Sequence, residues 1–213
     1  MSKSIKEKTG KPCQTSGNIR EPEVANRILE DGEADLIAIG RGLIADPEWV
    51  NKVEFGKECD IRKCISCNIG CAGNRIGINR PIRCTVNPAV LHGEVYKKQR
   101  VSKPCNVVVI GGGTADLEAA CTAAEVGCTT FLIEKKPYLG GLAAEISKIP
   151  DKKRLADFPN YLIHRAHKLK NLFVFTQTEA TTEFIKNLKP NILVNATGSL
   201  PLLPPIAGLH DTL

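Results

Sequence analysis

Apolar residues fall in short runs punctuated by glycines, and the clearest run is Asn106-Val107-Val108-Val109-Ile110. Four β-branched residues in succession predict a strand buried on both faces. Gly111-Gly112-Gly113-Thr114-Ala115-Asp116 follows at once. A helical run then spans Leu117 to Val126, and Gly127 closes it. Thr129 to Ile133 repeats the strand pattern and ends at Glu134, completing a βαβ unit. Farther on, an amphipathic pattern predicts a helix over Lys153 to Leu169. Leu172 to Phe175 reads as a strand, Thr182 to Leu188 as a short helix, and Asn191 to Asn195 as another strand. That strand ends in the small-residue turn Ala196-Thr197-Gly198-Ser199, before a proline-rich exit over Leu200 to Pro205.

The first fifty residues carry a second pattern. Pro12 to Ser16 predicts a strand and Gly17 to Arg20 a loop. Pro22 suits a first helical turn, Val24, Ala25, Ile28 and Leu29 mark one helical face, and Gly32 is a natural stop. Asp35 to Ile39 predicts a buried strand ending in a Gly40-Arg41-Gly42 loop, and Asp46-Pro47-Glu48-Trp49 opens another helix. Strand, helix, strand, helix is a parallel β/α order. Backbone amides and an arginine at two such strand ends can meet a phosphate, as in the loops after the last strands of a β/α barrel. By spacing alone, the plainer reading of both as tight turns is favoured.

Composition narrows the classes. The 213 residues allow one large or two small domains, and 42% hydrophobic with 24% charged residues describes an ordinary soluble chain. The net charge of +6 is scattered and aromatics are only 5%, which argues against a nucleic-acid surface. Met1 to Lys11 is polar, and no apolar run approaches the ~20 residues of a membrane helix, so a cytoplasmic setting is expected. Nine cysteines, an odd number, favour metal ligation over disulfides. Cys13, Cys105, Cys121 and Cys128 stand among apolar or small residues and are expected to fill cores, and Cys59 is a bystander. His164 and His167, at i and i+3, read as half-exposed helix residues.

The chemistry lies in Cys64-x2-Cys67-x3-Cys71-x12-Cys84. Gly70, Gly73 and Gly77 let the backbone fold tightly around four thiolates. Iron–sulfur clusters and structural zinc both accept four cysteines. The x3 gap and the absence of histidine between Cys64 and Cys84 set an iron–sulfur cluster ahead of zinc and of unrelated thiols. The turn after the Asn106 strand is a G-x-G-x-x-G fingerprint with Asp116 in place of the third glycine. Gly111 makes the turn, Gly113 admits a pyrophosphate, and Glu134, twenty-three residues after Gly111, is placed for a ribose hydroxyl.

In this order, and with the phrases Ala45-Asp46-Pro47, Cys84-Thr85-Val86-Asn87-Pro88 and Ala196-Thr197-Gly198-Ser199-Leu200-Pro201, the chain resembles the iron–sulfur flavoenzymes of the Old Yellow Enzyme superfamily (2,4-dienoyl-CoA reductase, 2-enoate reductase and trimethylamine dehydrogenase type). The resemblance implies an α/β chain in three parts. Residues 1–55 would be the C-terminal part of a TIM-type barrel with an FMN phosphate corner, 56–103 an iron–sulfur segment, and 104–213 the first part of a Rossmann-like FAD/NAD(P)-binding domain. It implies Cys64, Cys67, Cys71 and Cys84 as ligands of a [4Fe-4S] cluster. Asn18, Gly40 and Arg41 would face the FMN phosphate, and Gly111, Gly113, Glu134, Gly141 and Gly198 would line FAD. The implied activity is an NAD(P)H-dependent oxidoreductase that passes electrons from FAD through the cluster to FMN and reduces an activated C=C bond of a small enoate-type substrate. Asp116 departs from the pattern, as does Leu142, where many members carry glutamine. The family's remaining barrel strands are expected from a longer or partner chain, which makes this a central fragment. A stand-alone iron–sulfur electron-transfer module and an inactive truncated product are the alternatives.

Overall fold

A computed structural model describes residues 2–199. The N-terminal part is built on two short parallel strands, β1 (Gln14–Ser16) and β2 (Leu36–Ala38), paired Gln14 to Leu36 and Ser16 to Ala38. Helix α1 (Ser2–Thr9) precedes them and buries no residue. Between them α2 (Pro22–Glu30) starts on Pro22, whose missing N–H is no loss in a first turn. Two short helices follow, α3 (Arg41–Ala45) and α4 (Trp49–Glu54). Trp49 packs with Ile19, Ala25 and Ile61 in a small core, and its indole N–H donates to the Arg20 carbonyl at 3.1 Å.

Two expectations change here. The second strand is not buried, because Leu36 is 58% exposed in a sheet of two strands whose outer face has no cover. Arg41 and Gly42 are not loop residues either. Gly40 is the N-cap of α3, so the strand passes directly into a helix.

Between Asp60 and Asn106 the one regular element among the described residues is a π-helical stretch, Ile69–Gly77. Buried polar groups fasten this segment in place of a core. Asp46, 4% exposed, accepts from the Arg62 N–H (2.8 Å) and from Lys52 Nζ (2.5 Å). Asn87, 5% exposed, donates to the Ile44 carbonyl (3.0 Å) and accepts from Arg62 Nη1 (3.1 Å).

The C-terminal part is a parallel four-stranded sheet ordered β5-β4-β3-β6: β3 (Asn106–Ile110), β4 (Thr129–Ile133), β5 (Leu172–Phe175) and β6 (Ile192–Asn195). Val108 and Val109 are fully buried, as an uninterrupted apolar run in a central parallel strand requires. Helices α5 (Thr114–Glu125) and α7 (Asp157–His167) pack together over Val107, Val109 and Leu132 through Leu117, Cys121 and Leu162. The expected helix over 153–169 is divided. Pro150–Ala156 is 3-10, and α7 begins at Asp157. Pro159 has no N–H to bond the Leu155 carbonyl, so the α-helical ladder cannot run unbroken from 153, and Pro159 falls in the first turn of α7, where no N–H is needed. The pattern also did not announce α6 (Gly141–Ile146), while α8 (Thr182–Asn187) falls where expected. Cys121 and Cys128 are buried and Cys13 and Cys105 half-buried, while Cys59 is exposed.

A buried ionic clamp joins α5 to α7. Arg165, 9% exposed, donates through Nε and Nη2 to the two Glu125 oxygens (2.5 and 2.7 Å) and through Nη1 to Glu118 (2.8 Å). Burial opposes its charge, but the carboxylates outweigh that and hold its pKa above the usual value. For Glu125 burial pushes upward, and the bonds from Arg165 and Lys98 pull the carboxyl below its usual range. Replacing Arg165 by Met strands two half-buried carboxylates and should cost about 2–4 kcal/mol in urea unfolding at neutral pH. Because the folded Glu125 pKa is depressed, this stabilisation is present above the ordinary carboxylate range and lost as pH falls through the depressed value. The penalty of Arg165→Met should accordingly shrink in acid.

Candidate functional site

Cys64, Cys67, Cys71 and Cys84 line one pocket with Arg41, Asn68 and Thr85, about 300 Å³ including its mouth. Ser66 and Asn68 adopt left-handed backbone conformations (φ 56 and 57) that bend the chain between the thiols. Gly70 is required by contact, since a Cβ there would stand 2.6 Å from the Arg83 carbonyl, and Arg83 N–H donates to Gly70 O at 2.7 Å. That touch brings Cys84 to the first three cysteines. Gly73 is similarly tight against Asn68 O (3.0 Å), but Gly77 meets nothing and does not serve the fold as expected.

The sulfurs have polar company. Ser66 N–H donates to Cys64 Sγ at 3.4 Å, and Cys67 Sγ lies 3.2 Å from Thr85 Oγ1. Burial pushes the Cys84 thiol up, the Val86 and Asn87 amides pull it back, and Cys64 and Cys67 raise it further. Among the described residues no three His, Cys, Asp or Glu side chains close on a point as one ion requires.

Asn18, Gly40 and Arg41 line a second pocket, about 620 Å³ with its mouth, at the carboxyl ends of β1 and β2. Arg41 and Cys64 line both pockets, so the two are separated by one layer of side chains. Arg41 Nη1 donates to Asn68 Oδ1 at 2.5 Å, which ties the pocket at the β1 and β2 ends to the cysteine loop. Asn18 Oδ1 accepts from Ser66 Oγ (2.9 Å) and from Arg154 Nη1 (3.2 Å), and Arg154 also reaches Ser66 Oγ at 2.9 Å. Arg20 Nη1 donates to the Cys64 carbonyl (2.9 Å) and to Asp157 (2.6 Å). Sequence reasoning missed Ser66, Arg154 and Arg20. No local pattern marks them, because their partners lie 44 to 137 residues away. His164 is less idle than expected: with Lys168 it binds Asp60 at 2.8 and 2.6 Å.

The third cluster is the Gly111–Gly113 turn. Gly111 has φ 118, and Gly140 N–H donates to Gly112 O at 2.7 Å. Gly141 (φ 54) closes over the turn, with a Cβ there only 2.8 Å from Gly113 Cα. Glu134 approaches from the end of β4, its carboxylate 2.8 Å from where a Gly112 Cβ would be, and its Oε1 accepts from Lys136 N–H. Gly198 (φ 79) follows β6 beside β3 and touches nothing across the crevice. Asp116 is 2% exposed and lies under Gly111, its Oδ2 accepting from Gly113 N–H at 2.8 Å.

Residues 1–60 match the NADH:flavin oxidoreductase / NADH oxidase family, and residues 106–190 match the FAD dependent oxidoreductase family. An NADH oxidase of Thermoanaerobacter brockii is 44% identical over 98% of the chain and 32% of its own length. The chain belongs to the flavin oxidoreductases of the Old Yellow Enzyme superfamily. A cinnamate reductase of Clostridium sporogenes is 36% identical over 92% of the chain and 29% of its own length. The solved structure of 2-naphthoyl-CoA reductase superposes with a TM-score of 0.90 at 31% identity, over 98% of this chain and 32% of that one. The chain thus spans about a third of the length of these relatives.

The Gly70–Arg83 contact generates a prediction. Changing Gly70 to Ala should separate the two arms of the cysteine loop, a strain of about 1–3 kcal/mol. Iron and sulfide retained after anaerobic reconstitution should fall by at least half. The far-ultraviolet circular dichroism, dominated by the four-stranded sheet and its helices, should stay unchanged.

Proposed function

We propose that this chain is the electron-relay part of an NAD(P)H-dependent flavin oxidoreductase that reduces an activated C=C bond of enoate or enoyl-CoA type. One observation carries the reading: the four-cysteine pocket shares a wall, Arg41 and Cys64, with the pocket at the β1 and β2 ends. Electrons would enter at the dinucleotide unit and leave at the β1–β2 corner, with the cysteines between. The division into 1–55, 56–103 and 104–213 follows these three roles. The cinnamate and 2-naphthoyl-CoA reductases among the relatives support a conjugated carboxylate or thioester as substrate.

When bound, FMN and FAD supply hydride chemistry and a [4Fe-4S] cluster supplies single-electron transfer. Cys64, Cys67, Cys71 and Cys84 fit the cluster, with four thiols around a space rather than a point. The Ser66, Val86 and Asn87 amides favour the thiolate form by donating to sulfur. Arg41, already oriented by Asn68, and the Gly40 amide would hold the FMN phosphate, and Asn18 would fix the loop opposite through Ser66. In the dinucleotide crevice Gly111, Gly113 and Gly141 keep the backbone bare and Glu134 would accept a ribose hydroxyl. Gly198 would border the crevice from β6. Asp116 sets a carboxylate where the fingerprint has glycine, against the charge of a pyrophosphate.

Anaerobic reconstitution of the chain tests the metal centre. About four irons and four acid-labile sulfides per chain are expected, with a brown colour. Cys67→Ser should remove most of both. Stoichiometric zinc without sulfide would overturn the reading.

A further inference from the structure

The crevice formed by Gly111–Gly113, Gly141 and Glu134 contains a carboxyl group that the proposed function does not use. Asp116 replaces the small residue that lets a helix approach the turn, and its side chain fills the space this opens. A Cβ on Gly111 would lie 2.6 Å from Asp116 Oδ1, and one on Gly113 would lie 3.1 Å from Oδ2. Two features make the group exceptional. It is 2% exposed yet has no cationic partner, and its Oδ1 is buried without a hydrogen bond. Its other oxygen takes the Gly113 N–H, a backbone donor at the mouth of α5 that an anion at this turn would otherwise use.

Among the described residues, the surroundings offer no neutralising charge. Glu134, the charged group facing Asp116 from the end of β4, has the same sign. Glu118 on the same helix is bound to Arg165, and Lys136 at the β4 exit is bound to Glu145. The Gly140–Gly141 segment over the turn brings no charge. A pyrophosphate at this place would confront two carboxylates, one of them buried, and like charges at close range are costly. Protonation of Asp116 removes one of them. It also relieves the unpartnered buried oxygen of its negative charge.

We propose that adenine dinucleotide binding at the Gly111–Gly113 turn is coupled to the uptake of one proton by Asp116, so that the site fills in acid and empties in alkali. The inference rests on the reading of this turn as a dinucleotide site. In the balanced step, ionised Asp116, a proton from solvent and the nucleotide give the complex with neutral Asp116, and no bond in the nucleotide changes. The free group is already biased toward this form. Burial raises its carboxyl pKa, the Gly113 and Asp116 amides oppose this, and the Glu134 charge adds to the rise. On the alkaline side of that raised value the proton must be drawn from solvent as the ligand enters, and the ligand raises the pKa further.

Titration calorimetry of ADP into the full chain, between about pH 5.5 and 8.5 and in buffers of different ionisation enthalpy, reads the proton directly. Uptake approaching one proton per ADP is expected on the alkaline side, with Kd rising by up to about tenfold per pH unit. The Asp116→Asn variant, which keeps an acceptor for Gly113 N–H, should bind with no proton uptake at the affinity the native chain reaches in acid. Binding by the native chain without proton uptake would overturn the coupling and leave the dinucleotide site standing. Proton uptake persisting in Asp116→Asn would move the coupling to Glu134 or to the terminal phosphate of ADP, which titrates at about pH 6, and equally overturn the proposal. Absence of ADP binding from the native chain, Asp116→Asn and Asp116→Gly alike would overturn the site itself.

Discussion

The cysteine segment has no hydrophobic core of its own, so its shape depends on buried polar side chains that belong to its neighbours. Asp46 receives the Arg62 amide and Asn87 binds Ile44 O, which pins the two ends of the segment to α3 and its flank. Each such bond is worth about 0.5–1.5 kcal/mol, but leaving its buried partner empty costs about 1–3 kcal/mol. Specificity comes from that asymmetry, because a misplaced segment strands several groups at once. Between these two anchors the chain is free to turn on Ser66 and Asn68 and to close through Gly70 against Arg83. The four thiols are gathered by the anchors and by these turns.

Charge, more than apolar contact, links this assembly to the four-stranded part. Arg20 joins the Cys64 carbonyl to Asp157, Asp60 takes both His164 and Lys168, and the Arg62 guanidinium lies 5.1 Å from the centre of the Tyr161 ring. Lys168 is 55% exposed, so its attraction to Asp60 weakens with salt. Arg154 adds a contact of a different kind, since it meets Ser66 and Asn18 where the cysteine loop touches the β1 corner. A shift of the 3-10 segment carrying Arg154 would therefore be felt at both pockets.

The Gly111–Gly113 turn shows the opposite economy. Its backbone is kept bare by glycine, to the point that Gly141 leaves only 2.8 Å between a notional Cβ and Gly113. Into this space the chain places Asp116, which supplies a hydrogen bond to Gly113 and leaves one oxygen unpaired. One carboxyl group thus both stabilises the turn through Gly113 N–H and puts a negative charge beneath it.

Strands β3, β4 and β5 were legible in the sequence because continuous apolar runs between glycines need no distant information, and their ends fall where the pattern puts them. The four cysteines, the glycine turn and the anomaly at Asp116 were legible for the same reason: spacing is local. Burial of β2 was misjudged because the same apolar run is dry in a wide sheet and wet in a two-stranded one, as Leu36 shows. The helix start at Gly40 and the break before Asp157 turned on the neighbours each residue met. Only the folded chain could set Arg154 beside Ser66, give Cys64 and Arg41 to two pockets, or leave Asp116 buried without a cation, since each depends on segments far apart in sequence. Sequence alone determined which chemical groups the protein carries. Tertiary packing decided which of them meet, because contact and desolvation are properties of neighbours in space.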